Sequence, residues 1–459
     1  MPRLGRKTGQ IFGVALMLAS GIGLANVATT AAHADPAYSF GLGNSANVLT
    51  GVGSDTIEDI LAAYTGADNG ISYPALIDKN NVQLASFNAV VPGTFGQPPT
   101  LGCIITKPNG PLIDRPNGSG AGQKALSDEL QGVAWPQAGQ GASSPAQPAA
   151  CNQAGGSPVP LGNAIDFARS SSGPSTSSPD QLRFVPFAHD ALGVACYDSY
   201  GHSSAGDACH VTTAQLQSGY SNTVAGTFTD TNGDLVGVCM VNPNSGTAKF
   251  WGTNPNGPIN VSQATENSAS IASGCGDQLE EHNGNGFYNA VNNVTGLASQ
   301  AGKPKAWVVP LSSGQWIAQF NGVSVDRNNL LRQTIAGVSM GEAEIDGNTQ
   351  NVANGQLLAP NTTFYATSYG RDVYVVVSTT ALTQTALHGG VADIQLMFGN
   401  SPSATAPFTP GNSPLDTNTN GGAVICQTTA QSEAHTFGLE TTLVAGHSCG
   451  VGLPSPFVS

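Results

Sequence analysis

The chain has 459 residues, of which 40% are apolar but only 10% charged, well under the roughly 25% of ordinary soluble domains. Its formal charge of −14 argues against nucleic acid or an anionic membrane surface as a partner, but not against a small anion held by backbone N–H groups. That length exceeds what one hydrophobic core usually organises, so two lobes are expected.

At the N-terminus Arg3, Arg6 and Lys7 precede an apolar stretch, Ile11 to Ala28, and Ala32-His33-Ala34 offers a small-x-small cleavage site before Asp35. Residues 1–34 therefore read as a cleaved signal peptide, and the mature chain as secreted. Cleavage removes three basic and no acidic residues, taking the formal charge from −14 to −17. With no cysteine beside the cut and no later segment apolar enough to span a bilayer, neither a lipid nor a membrane anchor is expected. Eight cysteines (Cys103, Cys151, Cys196, Cys209, Cys239, Cys275, Cys426 and Cys449) form an even set, which in an exported chain predicts disulfides. Short loops favour the sequential pairs 103–151, 196–209, 239–275 and 426–449. No cysteine or histidine spacing suits zinc, so no metal or other cofactor is expected.

Residues 35–48 read as a loose start. Ile57, Ile60, Leu61 and Tyr64 are spaced i, i+3, i+4, i+7 and predict a helix. A second is expected over Ala121–Val133, with Leu126, Leu130 and Val133 on one side. Residues 136–160, rich in Pro, Gly, Ala, Ser and Gln, read as a long surface loop. Strand-like apolar runs follow at Leu182–Phe187, Val236–Val241, Ala306–Val309 and Val373–Val377, and Asp230–Asp234 reads as a hairpin turn. A third helix is expected over Arg327–Ala336. Residues 400–422 resemble the earlier loop and lead to a small C-terminal appendage. Alternating strands and helices predict the α/β class with largely parallel sheets.

Small, polar turns at helix starts carry the functional reading. Gly51-Val52-Gly53-Ser54-Asp55-Thr56 enters the first helix, where Asp55 and Glu58 make a capping-box-like start. Asn117-Gly118-Ser119-Gly120-Ala121-Gly122 enters the second. Asn242-Pro243-Asn244-Ser245-Gly246-Thr247 follows an apolar run and precedes Ala248-Lys249-Phe250-Trp251. A helix start leaves backbone N–H groups unpaired and carries partial positive charge, which suits an oxyanion. Open α/β sheets bind ligands at the carboxyl ends of their strands. Arg169 stands beside Ser170, Ser171 and Ser172 and offers a planar fork to an oxyanion.

In this order these segments resemble the phosphate-binding family of type II periplasmic binding proteins. The Gly-x-Gly start, the Ser119 helix start, Phe167-Ala168-Arg169-Ser170, the stretch Leu182–Tyr197 and Asn244-Ser245-Gly246-Thr247 all correspond, over roughly residues 50–400. The resemblance implies two doubly wound lobes joined by hinge strands and closing on a solute: residues 35–190 and 366–400 in one lobe, 191–365 in the other, and 401–459 as an extension. It implies a monomer that captures a small anion such as phosphate, with an ABC-type permease as partner. The candidate ligand-binding set is Ser54, Asp55, Thr56, Ser119, Gly120, Ala121, Arg169, Ser170, Ser171, Ser245, Gly246 and Thr247. Two positions depart from the family: Val241 stands where it carries an Arg, and Ser171 where it carries an Asp.

Other readings start from other motifs. Gly337-Val338-Ser339-Met340-Gly341 has the form of a nucleophile elbow, with Asp372, His435 and His447 following in order, as a secreted serine hydrolase would require. Asp416-Thr417-Asn418-Thr419-Asn420-Gly421 begins like an EF-hand loop but reaches Gln427 where a bidentate carboxylate is needed. An extracellular structural or adhesive protein would share the uncharged surface and keep the fold without transport.

Overall fold

The computed structural model describes residues 48–64, 83–91, 102–107, 110–135, 160–175, 181–201, 208–252, 257–292, 296–383, 394, 397–399 and 423–454. The expected signal peptide, most of the 136–160 loop and the Asp416 loop lie outside them.

β1 (Val48–Gly53) leads through a single helical turn into α1 (Glu58–Ala63), and β2 (Gln83–Ser86) returns parallel to it. A short pair, β3 (Cys103–Ile104) and β4 (Ile113–Asp114), precedes α2 (Ser119–Leu130). β5 (Phe167–Ser170) runs parallel to β1 on its other side. β6 (Leu182–Asp198) is 17 residues long. β7 (His210–Val211), α3 (Thr213–Ser221), β8 (Thr227–Thr229), β9 (Leu235–Val238), α4 (Gly246–Trp251), α5 (Gln263–Ser273) and α6 (Gly284–Asn292) follow. Next come β10 (Ala306–Ser312), α7 (Ser313–Phe320), β11 (Ser339–Glu342), β12 (Glu344–Ile345), β13 (Asn351–Asn354), β14 (Leu357–Pro360), α8 (Thr362–Tyr365), β15 (Gly370–Ser378), α9 (Thr379–Thr383), α10 (Thr428–Thr436) and β16 (Leu453–Pro454).

Among the described residues the main sheet has ten strands, ordered β2-β1-β5-β15-β6-β10-β9-β8, with β11 and β16 also on β6. β6 pairs with β15 over Leu182–Ala191 and with β10 over Leu192–Asp198. It therefore threads both halves of the sheet, and its partner changes beside Asp190. Both pairings are antiparallel, as is the β8–β9 hairpin around Asp230. Only β1–β2, β1–β5 and β9–β10 are parallel within this sheet. The class is α/β as read from the sequence, but the sheet is mixed where a largely parallel one was expected.

Within β15 the run Val373–Val377 is apolar at every position. Val373, Val375 and Val377 enter one core with Ile57, Ile60, Leu61 and Tyr64 of the first helical segment. Tyr374 and Val376 enter another, with Ala121, Ala125 and Leu126 of α2. A strand covered on both faces needs apolar residues at every position. The second half of the sheet has its own core, built on Val194, Val236, Val308, Phe250 and Trp251. α7 crosses the junction, with Trp316 in the second-half core and Ala318 in the first. Residues 423–454 are part of the first half: Ala430, Ala434, Phe437 and Leu439 complete its core, and Leu453 pairs with Phe184 of β6.

Three expected disulfides form, Cys196–Cys209, Cys239–Cys275 and Cys426–Cys449. Cys103 is also disulfide-bonded, while Cys151 lies outside the described residues. The helix expected over Arg327–Ala336 is replaced by one turn at Asn329–Arg332, after which Ile335 bridges Val338 around Gly337, whose φ is 74°. Tertiary hydrogen bonds override the periodicity here. Arg327 N donates to Gln319 Oε1 (2.8 Å), and the Asn328 amide is held by Gly284 N (2.7 Å) and Gln319 Oε1 (2.7 Å). Ser339 consequently starts a strand, with a turn before it and another strand after it. It lacks the strand–turn–helix frame of a nucleophile elbow.

Candidate functional site

Three of the small-residue turns meet where the two halves of the sheet join. Gly118 (φ 86°) lets α2 begin against the Asn244 turn, and Gly120 N donates to Asn244 O at 2.8 Å. Ser54 Oγ donates to Ser171 Oγ (3.0 Å), Ser171 N donates to Ser119 Oγ (3.0 Å), and the Ser119 and Ser171 hydroxyls lie 3.3 Å apart. A Cβ on Gly246 would sit 2.5 Å from both of those hydroxyls, so only glycine admits this approach. Ser245 caps α4 by accepting from Thr247 N at 2.9 Å. The Thr247 hydroxyl is buried and has no partner.

Facing these donors is a buried acidic group. Glu281 spans the halves: Oε1 accepts from Thr56 Oγ1 (3.1 Å) and Oε2 from Ser245 Oγ (2.6 Å). His282 Nδ1 lies 2.6 Å from Asp55 Oδ2, and Asn117 Nδ2 donates to Glu280 Oε1 at 2.9 Å. Burial, then the neighbouring Asp55, raises the Glu280 carboxyl well above its ordinary range and takes Glu281 up to about 8. Burial, with Arg327 nearby, lowers the His282 imidazole to about 4, so it is neutral at physiological pH. Arg371, from β15, donates to Asp190 Oδ2 (3.0 Å) and Thr56 Oγ1 (3.3 Å) and leaves Nη1 without a partner.

Of the residues singled out in the sequence, the structure brings together Ser54, Asp55, Thr56, Ser119, Gly120, Ser171, Ser245, Gly246 and Thr247. Three point elsewhere. Ala121 packs its side chain into the first-half core. Ser170 turns back, donating to Ser172 O (2.6 Å) and accepting from Gln123 Nε2 (2.9 Å). Arg169 spends all five of its N–H donors on Ser54 O, Gly51 O, Ser86 Oγ, Gly53 O and Phe87 O. It has none left for a solute and instead knits the β1 and β2 ends together. The arginine beside these turns is Arg371, two residues before the valine run. Glu280, Glu281 and His282 were also missed, although three consecutive titratable residues in so uncharged a chain are a signal.

No known family model matches this sequence, and no curated protein matches it. It is similar to solved structures at TM-scores below 0.5. A proposed phosphate ABC transporter substrate-binding protein of Clostridium perfringens, solved with bound phosphate, is 11% identical, with a TM-score of 0.42 over 86% of this chain and 100% of that one. An ABC-type phosphate transport receptor of Vibrio cholerae is 12% identical, with a TM-score of 0.32 over 72% and 87%. A DING protein is 12% identical, with a TM-score of 0.38 over 88% and 96%.

Proposed function

We propose that this chain is a secreted, monomeric solute-binding protein whose two lobes close on one small oxyanion that carries a proton, phosphate being the type. The convergence of the Ser54, Ser119 and Ser245–Thr247 turns is the observation that supports this most directly. It brings hydroxyls from both halves close to one another, groups able to donate to oxyanion oxygens. The facing carboxyls suit a solute that also donates. A protonated oxyanion can give its hydrogen to Asp55, while Glu281, raised to about 8, is largely protonated at neutral pH and adds little repulsion. Arg371 takes the charge-balancing role first given to Arg169. Three disulfides fit an oxidising, extracytoplasmic setting, and an ABC-type permease is the corresponding partner. Hinge bending is assigned to the β6 segment where its pairing changes.

Calorimetric titration with phosphate, sulfate and glucose tests the reading. Phosphate is expected to bind, sulfate at least tenfold more weakly because it has no proton to give, and the combined Ser119→Ala, Thr247→Val variant to lose phosphate affinity by about 100-fold, at about 1.4 kcal/mol per hydrogen bond. Binding of glucose with no response to phosphate would replace the oxyanion by a sugar.

A further inference from the structure

The acidic side of the cleft holds more than a solute acceptor needs. Asp55, Glu280 and His282 are each no more than 1% exposed, and each brings one ligand atom within 4.8 Å of the others. Asp55 belongs to the turn after β1, in the first half of the molecule. Glu280 and His282 follow Leu279, which bridges Val241 in the second half. Two carboxyl groups this close in a buried place are unfavourable unless a cation or a proton lies between them. Asp55 Oδ1 and Glu280 Oε2 are buried with no donor on them other than a proton shared between the two carboxyls. The Asn117 amide, which steadies Glu280 through Nδ2, also leaves Oδ1 unpartnered. Arg327 is engaged with Glu58 (3.3 Å) and Asp59 (3.2 Å), and Arg371 with Asp190 (3.0 Å), with Nη1 of Arg371 left over.

We propose that Asp55, Glu280 and His282 form a binding site for one divalent cation of the zinc or manganese class, tying the two halves of the molecule together. Two carboxylate oxygens and one imidazole nitrogen are the donor set such ions take. At metal–ligand distances of about 2.0–2.2 Å the donor atoms of one ion lie roughly 3–4 Å apart, so the more widely spaced atoms of this group close up slightly while His282 Nδ1, 2.6 Å from Asp55 Oδ2, moves apart from it. The ion takes the place of the proton shared by the carboxyls and adds positive charge between them. Cation binding is a claim separate from the identity of the solute.

The test uses the full mature chain, stripped with EDTA and desalted. Mn2+, Zn2+ and Ca2+ are titrated by calorimetry, and retained metal is counted by mass spectrometry. One equivalent of Mn2+ or Zn2+ is expected, with Ca2+ at least tenfold weaker because it disfavours nitrogen. Glu280→Gln and His282→Gln should each weaken binding at least tenfold. Because either substitution could perturb folding, electron-spin-echo spectra of Mn2+ in the unaltered chain give an independent reading, with nitrogen coupling from the imidazole expected. Failure of the unaltered chain to take up Mn2+ or Zn2+, undiminished binding in folded variants, or a bound Mn2+ without nitrogen coupling each overturns the site. A phosphate titration of the metal-free chain is run beside it: phosphate binding without metal uptake sinks only this inference, and metal uptake without phosphate binding sinks only the solute reading.

Discussion

Arg169 shows how far a residue's environment can redirect its chemistry. It is fully buried, its guanidinium pairs with backbone carbonyls from β1 and from the Ser86–Phe87 segment, and Glu58 Oε2 lies 3.9 Å away. Burial lowers its pKa only to about 10, so it stays charged at neutral pH. A lysine has three donors where this place uses five, and would strand buried carbonyls. Arg169→Lys is therefore expected to lower stability by about 3 kcal/mol or more in denaturant unfolding, while the folded fraction keeps its solute affinity. A folded, fully stable variant with lost affinity would return Arg169 to the ligand set.

Among the elements, α2 and α4 matter through their starts. Each begins at a glycine–serine turn, and the two turns are pressed together so closely that the position of Gly246 has no room for a methyl group: Ser119 Oγ and Ser171 Oγ at 2.5 Å, and the Ser171 backbone at 2.8 Å, would all meet it. Overpacking of this kind costs about 1–3 kcal/mol, and under the proposed closure it falls on the closed arrangement, because opening would relieve it. Gly246→Ala is expected to increase the radius of gyration in small-angle scattering and to weaken solute binding roughly tenfold. An unchanged scattering profile with unchanged affinity would mean that the turns separate without consequence. These helix starts were legible because small residues, caps and periodicity are local. The Arg327–Ala336 segment misled for the opposite reason: its leucines have helical spacing, but Gln319 and Gly284, distant in the chain or on other elements, hold Arg327 and Asn328 in place.

Across the whole molecule, residues 423–454 lock the first half of the sheet to the β6–β15 seam. Asp372 of β15 receives His189 Nδ1 (2.7 Å) from β6 and His447 Nδ1 (2.5 Å) from the C-terminal segment, together with Val444 N (3.1 Å). Burial opposes charge on both His189 and Asp372, but their mutual hydrogen bond prevails: the imidazole is raised above 6.5 and the carboxyl held below 3.8. A raised histidine stabilises fully below its unfolded value and stops doing so as pH climbs through its folded one. A depressed aspartate stabilises above its unfolded value and is lost on acidification. The seam should therefore be strongest between about pH 4 and 6.5 and weaken as the pH rises above 6.5. Thermal unfolding of the unaltered chain against Asp372→Asn across that range checks this; parallel stability profiles would show that the seam does not titrate.

Sequence alone determined the class, the first helix, the hairpin at Asp230, three cysteine pairs and the hydroxyl-bearing turns. Each of these depends on residues near one another along the chain, where spacing and backbone preference decide the outcome. What lies opposite the turns was decided only in three dimensions. Asp55 and His282 are 227 residues apart, and Thr56 and Glu281 are 225 apart. Such pairs form because β6 threads both halves of the sheet and brings their loops to one junction. Which arginine lines the cleft depends on strand register: Arg169 and Val375 are paired neighbours on β5 and β15, yet the guanidinium of Arg169 is consumed by carbonyls while that of Arg371 reaches Thr56. A local motif names the donors of a site; the packing of remote segments chooses the charges that face them.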